Sequence, residues 1–110
     1  MISFDGDLVA KAVAARATEQ KWNPDRALLV SRICGWHVAY PDADVGYEGG
    51  RPNAGMRDMI DGVTRDTGLS RGEVLGAFGA SHCLLCDTVP GFRPVLYSAW
   101  DRSEECQRHD

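Results

Sequence analysis

The chain has no apolar run approaching the ~20 residues that cross a bilayer, so no membrane-spanning helix is expected. It has no positively charged beginning either: Asp5 and Asp7 stand in the opening MISFDGDLVAKAV, and no signal-peptide apolar region follows. Positive charge is not in excess, because 12 Lys and Arg against 16 Asp and Glu leave a formal net charge of −4. That balance argues against a non-specific grip on nucleic acid or anionic lipid. Internal repeats and low-complexity tracts are missing. So are a serine–histidine–acid arrangement, a glycine-rich phosphate loop and a persuasive pair of catalytic carboxylates. Asp42, Asp44 and Glu48 share an oxygen-rich segment but lack calcium-loop spacing. Together these absences predict a cytoplasmic chain with no membrane partner, whose cysteines stay reduced.

What is present is ordinary globular material, 110 residues with 44% hydrophobic and 25% charged side chains. This suits one domain, 1–110, with a small core. The apolar spacing predicts an all-α fold of about five short helices in one compact bundle. The first follows Asp5 or Asp7 as N-cap and carries Leu8, Val9, Ala12 and Val13, with Trp22 folding back on the core beyond it. The second starts at Asn23-Pro24 and ends near Tyr40, because Pro41 disfavours helical geometry before it. Residues 41–52 read as a glycine-rich loop. Met56, Met59, Ile60 and Val63 fall at i, i+3, i+4 and i+7, and Gly68 is placed to stop that helix in the left-handed conformation. Ser70 and Glu73 form a capping box, with Leu69 and Val74 as its hydrophobic staple. A cysteine-containing turn is expected next, and Pro94 opens a last helix with Leu96, Ala99 and Trp100.

The segment MIDGVTRDTGLSRGEVLGAF, residues 59–78, resembles a helix-turn-helix. The resemblance implies DNA as partner, with Arg71 and Glu73 reading bases after the Ser70 cap, and Arg51, Arg57 and Arg65 near phosphates. From Arg51 to Gly76, however, the four arginines are offset by Asp58, Asp61, Asp66 and Glu73. Gly72, Gly76 and Gly79 also recur at i, i+4 and i+7, which suggests close approach by another helix or a partner backbone rather than groove reading.

All seven cysteines and histidines fall in three clusters, each with an i, i+3 pair: Cys34 with His37, Cys83 with Cys86, and Cys106 with His109; His82 adjoins the middle pair. Zinc takes four such ligands at ~2.0 to 2.3 Å, commonly from two separated pairs. Cys83, Cys86, Cys106 and His109 fit that logic, and Cys34, His37 and His82 are the alternative ligands. The competing expectations are buried, inert thiols and a redox dithiol at Cys83-x2-Cys86. The dithiol resembles the pair of all-helical peroxidase-type enzymes, with Glu73 as the accompanying glutamate, but no histidine follows Cys86.

Three functional expectations follow. The first is a small regulatory binding protein that contacts DNA or a partner protein through the helix-turn-helix-like unit, stabilised by a Cys/His zinc site. The second is an acidic helical inhibitor or adaptor, with Trp22, Trp36 and Trp100 as candidate anchors. The third is a thiol enzyme.

Overall fold

Side-chain capping starts every helix of the computed structural model, which describes residues 3–92. Asp5 accepts from the amides of Asp7 and Leu8, both at 3.1 Å, and opens α1, Gly6–Glu19. Asn23 accepts from Arg26 N at 2.8 Å and opens α2, Pro24–Ala39, with proline in the first turn, where its missing N–H costs nothing. Asn53 does the same for α3, Ala54–Thr67, through Met56 N at 2.8 Å. Gly68 ends α3 at φ 71, a conformation that glycine adopts without strain. Ser70 and Glu73 close the capping box at the start of α4, Arg71–Thr88.

Between α2 and α3 the chain makes a minimal hairpin. β1, Tyr47–Glu48, pairs antiparallel with β2, Arg51–Pro52, in the register Tyr47 to Pro52 and Glu48 to Arg51. Gly49 and Gly50 turn it with φ 57 and 79, the sign that a type I′ turn requires at both central positions. The expected glycine-rich loop is thus ordered over half its length. Asn53 ties the hairpin to α3, since its side chain also accepts from Gly46 N at 3.2 Å.

The fold is all-α, with four helices among the described residues and only this tiny sheet. The fifth expected helix, from Pro94, lies outside the described residues. α2 and α4 form the centre: each packs against the other three helices, and most extensively against one another. Phe78, Ile33, Met56, Met59, Ile60, Leu84 and Leu85 are fully buried at the junction, each contributing roughly 1.5–3 kcal/mol through removal from water. Trp22 packs against this core as expected, whereas Leu8 is 50% exposed.

Two expectations about α4 are corrected. The segment around Cys83 and Cys86 is not a turn, because α4 continues through it to Thr88 and the chain turns only at 89–92. The glycine stripe does not mark a close helix contact at two of its three positions, Gly72 and Gly76. A Cβ on Gly76 would meet nothing within 4 Å, and one on Gly72 only the Ser70 Oγ at 3.9 Å. The open carbonyl of Gly76 instead accepts from Arg26 Nη1 at 3.2 Å, which links α2 to α4.

Candidate functional site

The cysteines and histidines are distributed by the 100° step between successive helical residues. On α4, His82 faces α2, where its Nε2 lies 3.1 Å from His37 Nε2, both rings buried. Phe78, Phe4 and Phe92 enclose the pair, Phe78 with its centroid 4.0 Å from the His82 ring and Phe92 5.2 Å from it. Burial in this apolar box pulls His37 down to about 4 and holds His82 well below the usual histidine range, His37 adding to the effect on His82. Both are neutral at pH 7, so one ring donates its Nε2–H to the other. His82 Nδ1 is buried without a partner among the described residues. An orphan lone pair there is cheaper than an orphan N–H, which favours His82 as the donor.

Cys83, one step around, turns to α1 instead. Its Sγ lies 4.0 Å from Arg16 Nη1, and Arg16 Nη2 bonds Asp87 at 2.7 Å. Burial opposes the charge of Arg16, but these two partners outweigh it and raise its pKa. Cys34 is buried against the Ser81 carbonyl at 3.8 Å, and burial pushes its thiol up to about 12, the behaviour of an inert core cysteine. Cys86 is half-buried. Among the described residues no three His, Cys, Asp or Glu side chains group closely enough to hold a metal ion. The alternative ligands Cys34, His37 and His82 therefore do not converge with Cys83 and Cys86, because successive α4 positions face different helices. Cys106 and His109 lie outside the described residues.

Of the helix-turn-helix-like residues, Arg65, Ser70, Arg71 and Glu73 sit near the α3–α4 corner and Arg57 at the far end of α3, with much of their chemistry engaged locally. Glu73 Oε1 accepts from Ser70 N at 3.1 Å and from Ser70 Oγ at 2.9 Å, and Ser70 Oγ accepts from Glu73 N at 3.2 Å. Arg57 Nη1 donates to the Pro52 carbonyl at 2.7 Å. Arg71 is exposed in the first turn of α4, and Arg65 is exposed on α3. From Ala77 to Leu85 α4 is covered, every residue being buried. The would-be recognition helix is the core helix of the protein. Glu73 also sits in the first turn of α4, about 15 Å along the axis from Cys83 at 1.5 Å per residue, so it cannot serve a dithiol there.

The feature that sequence reasoning missed is a cleft of about 720 Å³ between the end of α2 and α3. Trp36 and Tyr40 form one wall, with ring centroids 4.5 Å apart. Asp58, Asp61 and Arg65 line the other from one face of α3, and Asp42 comes from the segment after α2. Two glycines shape it. A Cβ on Gly62 would lie 2.6 Å from Trp36 Cζ3, and one on Gly55 would collide with the Asp44 carbonyl. Tyr40 is 53% exposed, while Trp36 holds its Nε1–H buried and without an acceptor among the described residues. No helix of the described residues is long and apolar enough to cross a membrane. No family model, curated protein or solved structure matches this chain.

Proposed function

We propose that this chain is a small, cytoplasmic regulatory binding protein that docks a partner protein in the α2–α3 cleft. The cleft carries the reading: an aromatic wall stands opposite charged side chains, on two packed helices, in a space of about 720 Å³. Aromatic anchors beside a polar rim are the composition of protein-binding hot spots. This unites the binding-protein and acidic-adaptor expectations, with Trp36 as the anchor.

DNA is the second reading, supported by the α3–Gly68–α4 corner and the exposed Arg71. It draws less support, because Glu73 and Arg57 are engaged locally and α4 offers little more than its first turn. A zinc ion held by Cys83, Cys86, Cys106 and His109 belongs to the same proposal as a structural clasp. Native mass spectrometry of protein purified without chelators would read its presence directly.

The test places a photo-crosslinking residue at Ala39, which lines the cleft, and a control at exposed Lys11 on α1. The expected result is one stoichiometric protein adduct from Ala39 that disappears when Asp58→Lys and Asp61→Lys are introduced, with none from Lys11. Equal adducts from both positions, or only nucleic-acid adducts, would overturn the docking reading. Salt-sensitive duplex binding lost in Arg71→Ala would favour DNA.

A further inference from the structure

The cleft specifies the charge and the shape of its guest. Three carboxylates, Asp42, Asp58 and Asp61, face one guanidinium, Arg65. Its local field is therefore negative, and phosphates are repelled. The carboxylates do not gather into a metal cup, since among the described residues no three acidic, histidine or cysteine groups are close enough to hold an ion. A guest with positive charge spread over several donors fits better than a point charge. Arginine has that form: five N–H donors in a planar fork that pairs with carboxylates and stacks on aromatic faces. The chain already uses such stacking elsewhere, with the Arg26 guanidinium 5.6 Å from the centroid of the Trp22 ring.

We infer that the guest is an arginine in a basic segment of the partner protein, its guanidinium set against the Trp36–Tyr40 wall and bonded to Asp58 and Asp61. This rests on the docking reading above and names the chemistry of the docked partner. Free carboxylates and phosphates are disfavoured as guests by the same charge.

Fluorescence anisotropy with labelled nonamers of arginine, lysine, glutamate and an uncharged Gly/Ser peptide tests it on the full chain. The arginine peptide binds one to one, more tightly than the lysine peptide by about threefold, and the glutamate and uncharged peptides do not bind. Asp58→Asn with Asp61→Asn weakens the arginine peptide by about fivefold to tenfold. Tyr40→Leu, a change at a half-exposed site, removes the preference for arginine over lysine. Equal arginine and lysine affinities that none of these variants alters would overturn the inference, as would binding of the uncharged peptide. So would self-association of the protein that the arginine peptide displaces, which would give the cleft to a second copy. If the Ala39 crosslink persists while the arginine peptide fails to bind, the docking reading stands and this inference falls. Failure of Ala39 in the otherwise unaltered chain to give any protein crosslink removes both.

Discussion

Trp36 and His37 are neighbours in the chain, 100° apart around α2, and their surroundings are opposite. His37 enters the seam with α4, where it is buried against His82, Phe4 and Phe92. Trp36 enters the cleft with α3, where Tyr40 is half exposed and carboxylates stand in solvent. Both surroundings hold a buried polar atom without a partner among the described residues, His82 Nδ1 in the seam and Trp36 Nε1 beside the cleft. The seam is closed by aromatic rings, whereas the cleft between the Trp36–Tyr40 wall and the α3 carboxylates has room for a visitor.

Phe78→Ala attacks the seam hardest, since the ring is fully buried and its centroid lies 4.0 Å from that of His82. A loss of about 3–5 kcal/mol is expected in urea unfolding, a large share of the ~5–15 kcal/mol of a typical domain. A loss below about 1 kcal/mol would show that the seam is loosely packed.

Acid comes next. In the folded chain burial leaves His37 protonating only near 4, whereas an unfolded histidine protonates near ~6.5. Between those values the unfolded chain binds more protons, so stability is full above ~6.5, falls as pH drops through the window and levels off below about 4 for this group. His82 acts in the same direction. From pH 7.5 to pH 5, His37 alone accounts for a loss of about 2 kcal/mol. His37→Gln should flatten the pH dependence by that amount, and a flat profile in the unaltered chain would mean that the seam is hydrated.

The smallest effect belongs to the cleft. Asp58→Asn with Asp61→Asn should change stability by less than about 0.5 kcal/mol in the same urea assay, because both side chains are exposed on α3. A large destabilisation would assign these carboxylates to the fold and erase the contrast between the two faces of α2.

The sequence made the boundaries legible and the meetings illegible. Asn23-Pro24, Gly68 and the Ser70–Glu73 box act within one turn of themselves, so their spacing alone located the starts of α2 and α4 and the end of α3. The far end of α4 was hidden by its own burial. A helix covered on most sides shows no amphipathic stripe, and the segment around Cys83 and Cys86, running into Pro90-Gly91, read as a turn although α4 continues through it. The cleft was visible only in parts: Trp36 stood out as an anchor, and Asp42 and Asp44 as an acidic segment. Nothing local brings Trp36 to Gly62 or His37 to His82, because those contacts depend on how whole helices cross.

Gly62 sets that crossing on the Trp36 side, and Gly55 sets the approach of the Asp44 main chain. Each lies within α3, where glycine costs up to ~1 kcal/mol against alanine, and each lets a neighbour come so close that a single methyl group would not fit. The width of the opening is therefore written in two hydrogen atoms. One added carbon at either position would push a wall outward, so descendants of this chain could retune what enters without touching any side chain that greets it.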